Sequence, residues 1–188
     1  VVASTGVIGQ ALNISVIEAG IPGIAAGLSG ENSGLAAQAI MTTDRTQKEI
    51  AFSLELGGKE VKIGAIAKGS SMIHPNMGTM LCFITTDCAI TPQMLEEALR
   101  DVTARTFNRV VVDGDASSND LCAALANGMA GNPLIEWKDE DYETFLKALE
   151  AVCTHMARAI AGDGTGSTKL ITCQVRSARS EEGAERLA

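Results

Sequence analysis

The chain has 188 residues, a net charge of −8, and 46% hydrophobic but only 3% aromatic residues. That length supplies one good core, enough for a single domain. The negative charge speaks against nucleic acid and anionic membrane surfaces as partners, and the scarcity of rings against base stacking.

Taken in order, residues 1–8 read as a strand feeding a turn at Gly6 and Gly9. Residues 11–34 are mixed, interrupted by Pro22 and five glycines. A short helix is expected over residues 32–41, with Leu35, Gln38 and Ala39 on one face. Residues 49–56 alternate, placing Ile50, Phe52, Leu54 and Leu56 on one side. Gly57-Gly58 then offers a tight turn, and Val61, Ile63 and Ala65 alternate in a return strand that ends at Lys68. Residues 79–86 form an apolar strand. Thr91-Pro92 opens a helix, a cap followed by proline at the first helical position, with Leu95, Leu99 and Val102 as its buried stripe. Val110-Val111-Val112 reads as a buried strand, and Ser117 or Ser118 as the cap of a helix ending near Gly128. The longest helix is expected over residues 139–161, with Phe145, Leu149, Val152, Met156 and Ile160 at helical spacing. Residues 168–175 alternate as a last strand, and Ser180-Glu181-Glu182 starts a helix. A hairpin combined with helix-separated strands implies α+β layers.

The five cysteines have no C-x-x-C spacing and apolar neighbours, so they read as buried thiols of a reducing compartment. No apolar run nears the ~18 residues of a membrane-spanning helix, and the first residues do not read as a secretory leader. Both ends read as cut from something longer.

Chemistry concentrates between Lys68 and Leu81, a stretch of glycine, hydroxyls and methionine running into an apolar strand. Pro75, Asn76 and Gly78 are loop residues that deliver Thr79 to a strand start. A Gly78–Thr79 bond held there is open to attack by the Thr79 hydroxyl. The freed amine would then serve as base for that hydroxyl. The ordinary alternative is a threonine that only packs or caps. Residues 162–169 look like a phosphate loop, but the lysine follows the hydroxyls and no helix follows the loop, which favours a turn. Asp113-Gly114-Asp115 offers too few carboxylates for a cation and reads as a strand-end turn. His74 and His155 have no zinc-spaced partner, and no G-x-S-x-G elbow occurs. Ser4-Thr5-Gly6 puts a hydroxyl and backbone amides at a strand end, where an oxyanion could be held. Lys68 could bind a carboxylate if the loop folds over it.

Together these segments resemble the ornithine acetyltransferase family (ArgJ-type glutamate N-acetyltransferases). The likeness runs through Ser4-Thr5-Gly6-Val7-Ile8-Gly9-Gln10, Ala39-Ile40-Met41-Thr42-Thr43-Asp44, and Ile63-Gly64-Ala65-Ile66-Ala67-Lys68-Gly69-Ser70. It continues through Met72-Ile73-His74-Pro75-Asn76-Met77-Gly78-Thr79-Met80-Leu81, Phe83-Ile84-Thr85-Thr86-Asp87, and Val112-Asp113-Gly114-Asp115 with Asn119-Asp120.

The resemblance implies a layered α-β-β-α sandwich of the DmpA/ArgJ-like type, incomplete at both ends of this chain. It implies self-cleavage between Gly78 and Thr79, dividing residues 1–78, the end of an α piece, from 79–188, the start of a β piece. It makes Thr79 a nucleophile that takes acetyl from N-acetylornithine and passes it to glutamate, in arginine biosynthesis. Thr5 and Gly6 match oxyanion-stabilising positions, and Thr42, Lys68, Thr79 and Thr165 match substrate contacts. Thr165 departs from the pattern, since the family usually has glutamate there. No metal or cofactor is implied, though acetyl-CoA is a possible donor. The assembly implied is an α2β2 heterotetramer in the cytoplasm, with neither nucleic acid nor membrane as partner. Two alternatives stand beside this reading: an amidase or aminopeptidase of related self-cleaving fold, and a non-catalytic fragment.

Overall fold

The alternation over residues 49–56 forms the outer strand of the sheet on which the molecule is built. In the computed structural model, residues 3–7 and 9–187 are described. Strands β1 (Lys48–Leu56) and β2 (Lys59–Lys68) pair antiparallel from Lys48↔Ala67 to Leu56↔Lys59. Two short strands follow, β3 (Ile73–His74) and β4 (Met77–Gly78), pairing with each other. Then β5 (Met80–Thr86) pairs antiparallel with β2. Helix α3 (Pro92–Arg105) crosses back to β6 (Asp120–Ala126), which lies parallel to β5, so the main sheet reads β1-β2-β5-β6. A parallel neighbour requires such a crossover.

Helix α4 (Glu140–Gly162) covers one face of this sheet. Its stripe of Phe145, Leu149, Val152, Met156 and Ile160 is buried, as spacing predicts, against Val61, Ile63, Ala65 and Ala67. Each such side chain contributes about 1.5–3 kcal/mol by leaving water. Asp139 caps α4 by accepting from Tyr142 N at 2.8 Å. Thr91 caps α3 by accepting from Met94 N at 3.4 Å. Helix α2 (Ser33–Ala39) forms where expected, but it buries Ala37 and leaves Leu35 exposed. The opposite sheet face, with Ala51, Gly64, Ile66, Phe83 and Thr85, lines a broad open hollow of about 840 Å³. The fold is thus α+β. The described residues supply one helical layer and one main sheet of the expected sandwich.

Several expectations are corrected. Residues 117–128 hold β6, not a helix, because the backbone pairs with β5 while small side chains such as Ala124 and Ala126 pack against the core, and packing overrides helix propensity. With β6 beside β5, residues 110–112 are not a strand. Val110 is buried after a 3₁₀ turn (Phe107–Arg109), and Val112 N donates to Ile73 O at 3.0 Å. Residues 168–175 form no strand, and Ile171 is 84% exposed. Residues 11–34 contain α1 (Ile14–Ala26), capped by Asn13 and running through Pro22, with no buried residue. Helix α5 (Glu181–Glu185) forms with Ser180 as its cap. The strand expected over residues 1–8 lies partly outside the described residues; residues 3–7 carry bends instead. Cys173 is exposed, unlike the other cysteines.

The hairpin turn makes a stability prediction. Gly57 has φ +53°, and a Cβ there would collide with the Pro133 ring, whereas Gly58 at φ +75° faces open space. Gly57→Ala should therefore cost about 1–3 kcal/mol in urea unfolding, and Gly58→Ala about 1 kcal/mol.

Candidate active site

The site grows from the β3–β4 hairpin. Pro75 and Asn76 turn it, with Asn76 at φ +65° and Met72, just ahead, at φ +50°. The segment after the 3₁₀ turn grips this hairpin along its length. Asp113 accepts from Met72 N at 2.7 Å and from Ile73 N at 3.2 Å. Ser117 N donates to Met77 O at 3.0 Å. Asp120 Oδ2 accepts from Gly78 N at 3.0 Å. Thr79 N donates to Met72 O at 2.8 Å. Both amides flanking the Gly78 carbonyl are therefore held. The Thr79 Oγ is buried and has no hydrogen-bond partner among the described residues. A buried hydroxyl left so costs about 1–3 kcal/mol, and such groups call for a reason.

Lys68 stands at the end of β2, paired with Leu81, two positions beyond Thr79. It is buried, against the usual solvated lysine, and its Nζ donates to Thr42 Oγ at 2.8 Å. Burial, then the nearby Lys48 charge, lower its pKa, while Asp44 opposes them. Gly69 follows, where a Cβ would lie 3.2 Å from Thr79 O, so a bare backbone lets the two segments approach.

A buried ionic network that the sequence did not disclose ties these loops together. Lys48 Nζ reaches Asp44 Oδ1 and Asp163 Oδ2, each at 2.7 Å. Asp44 also accepts from Gly69 N at 2.7 Å and Thr42 N at 3.2 Å. Asp163 accepts from Arg45 N at 2.9 Å, Thr46 N at 3.3 Å and Arg45 Nε at 3.2 Å. Burial opposes ionisation of both aspartates most strongly. The Gly69 N–H and then Lys48 lower Asp44, and Lys48 and then the Thr46 and Arg45 N–H groups lower Asp163, leaving both below the usual carboxylate value. Thr165 N donates to Ser70 O at 2.7 Å, and the hydroxyls of Ser70 and Thr43 lie 2.7 Å apart. Thr42 and Thr165 thus sit on loops joined to the end of β2 that carries Lys68, next to the segment carrying Thr79. The readable sign of this network was Lys48 itself, in register with Ile50 and Leu54 on the buried side of β1.

Thr5 and Gly6 are exposed, and no hydrogen bond joins them to Thr79, Lys68 or Thr42. Asp113-Gly114-Asp115 is a bend whose first carboxylate serves the hairpin. Among the described residues, no group of three His, Cys, Asp or Glu could hold a metal ion, and no helix is long and apolar enough to cross a membrane.

The whole chain, residues 1–188, matches the ArgJ family. The chain belongs to that family. A protein of Symbiobacterium thermophilum named arginine biosynthesis bifunctional protein ArgJ is 53% identical over 187 residues, covering 100% of this chain and 46% of the relative. A Synechococcus protein of the same name is 49% identical, covering 100% and 45%. The chain therefore spans about half the length of these curated relatives. Among solved structures, the ArgJ protein of Bacillus halodurans is 44% identical, covering 46% of this chain and 41% of that one, with a TM-score of 0.45.

Proposed function

We propose that this ArgJ family chain carries the nucleophile of an acetyltransferase that moves acetyl from N-acetylornithine to glutamate in arginine biosynthesis. The observation that carries the reading is the buried, unpartnered Thr79 hydroxyl, directly after a glycine whose flanking amides are both held. The names of the relatives support the pathway.

In this reading the chain first cuts itself. Thr79 Oγ attacks the Gly78 carbonyl carbon, the Gly78–Thr79 amide bond breaks, and the hydroxyl proton passes to the Thr79 nitrogen. Water then hydrolyses the resulting ester, leaving a Gly78 carboxylate and restoring the hydroxyl. The new α-amine takes the Thr79 proton when the hydroxyl attacks the acetyl donor. Ornithine leaves, and glutamate accepts the acetyl group from the ester. Residues 1–78 and 79–188 fall in the two resulting pieces, which assemble as α2β2 in the cytoplasm. Thr5 and Gly6 stabilise the oxyanion. Lys68 pairs with the substrate α-carboxylate, and Thr42, Thr79 and Thr165 complete the contacts. No cofactor is needed, and acetyl-CoA is an additional donor.

Mass spectrometry of the full-length protein with N-acetylornithine tests this. The peptide that begins at Thr79 should gain one acetyl group and lose it when glutamate is added. An adduct on another residue, or release of free acetate at the same rate with and without glutamate, would overturn the assignment.

Lys68→Met should raise KM for N-acetylornithine at least tenfold with a smaller change in kcat, by removing one side of a charge pair. Because its pKa is lowered, Lys68 loses its proton at lower pH than an exposed lysine. Substrate affinity should weaken on the alkaline side, a limb absent from Lys68→Arg.

A further inference from the structure

We infer that Asp120 is a positioning residue for the self-cleavage step, holding Gly78 so that its carbonyl faces the Thr79 hydroxyl. The inference rests on the cleavage reading above. Glycine is the residue least able to fix its own backbone, because it has no side chain to restrict φ and ψ. A Gly78 carbonyl free to swing would seldom lie in line with an attacking oxygen, and alignment is a large part of the rate of such intramolecular steps. The structure meets this from both sides. The amide after the carbonyl, Thr79 N, is bonded to Met72 O at 2.8 Å. The amide before it, Gly78 N, is bonded to Asp120 Oδ2 at 3.0 Å.

The mounting of the two acceptors is what makes Asp120 distinctive. Met72 belongs to the loop being positioned, and its own amide is held by Asp113. Asp120 opens β6 and pairs with Met80, the residue after Thr79, so its backbone is anchored to the start of the strand that follows the nucleophile. A Cβ on Gly78 would lie 3.6 Å from the same Oδ2, so a small side chain fits there without displacing the bond. An ionised acceptor also makes the stronger hydrogen bond. The carboxylate transfers no proton in this role; the balance of atoms in the cleavage step is unchanged by it.

The test follows cleavage of the full-length protein during cell-free synthesis, with the uncut fraction read on denaturing gels. Asp120→Ala should slow cleavage roughly tenfold to a hundredfold, the range for losing a hydrogen bond to a charged group. Asp120→Asn keeps an acceptor oxygen and should cleave within about fivefold of wild type. Asp120 is exposed at the strand end, so Asp120→Ala should melt within a few degrees of wild type. Wild-type rates in Asp120→Ala, equally slow cleavage in both variants, or a collapsed melting temperature would each overturn the inference. A wild-type protein that never cuts would instead remove the reading beneath it.

Discussion

Thr79→Ala in the full-length protein should give one uncut chain where wild type gives two, and acetyl transfer should fall at least about a thousandfold. On the proposed reading both effects have one cause, the loss of the hydroxyl that attacks first the Gly78 carbonyl and later the acetyl donor. Thr79→Ser should cut and turn over, since it keeps the hydroxyl. Stability should move the other way. The Thr79 Oγ is buried without a partner, so Thr79→Val removes a desolvated dipole while preserving shape. That variant should be more stable by about 1 kcal/mol, measured as a raised urea midpoint against Thr79→Ser held at low temperature before it cuts. A Thr79→Val protein less stable than Thr79→Ser would mean the hydroxyl is satisfied in solution and not poised.

The largest loss of stability should come from Lys48→Ala, about 3–5 kcal/mol. Lys48 is fully buried between Asp44 and Asp163, whose side chains are 0% and 2% exposed. Removing it leaves two buried carboxylates without their shared cation. The pH dependence gives a second check. In wild type both aspartates titrate below their ordinary value of 3.8. The stabilisation they contribute is therefore present above that value and lost as pH falls through their lowered folded values. Without Lys48, one of the influences that lower each aspartate is lost and the folded values rise. The variant should then lose less stability than wild type as pH falls through the acid range. Denaturant titrations at several pH values would show it. The Arg45–Asp163 contact contributes little to this account, because Arg45 is half exposed.

The hairpin of β1 and β2, β5, α3 and α4 were legible because each is a local pattern. Alternation, a glycine pair, a Thr-Pro cap and a five-residue helical stripe each lie within one element. Strand β6 was not, since Leu121-Cys122-Ala123-Ala124-Leu125-Ala126 has helix-forming composition, and only its neighbours β5 and α3 make it a strand. Helix α1 was hidden by Gly20, Pro22 and Gly23, which locally argue for a break. The site divides the same way. Thr79, Lys68 and Thr42 stood out through their motifs. Asp120 and Asp163 act through partners 42 and 115 positions away, a distance no window of sequence can span.

The order of the strands has a consequence for the proposed cut. β2 lies upstream of Gly78 and β5 downstream, yet the two are neighbours in mid-sheet, paired from Ile63↔Thr86 to Lys68↔Leu81. Helix α4, also downstream, packs against both β1 and β2. Scission would sever the thread without opening a seam. The two polypeptides would remain one folded body, sharing a single interior, that dilution does not part and only a denaturant separates.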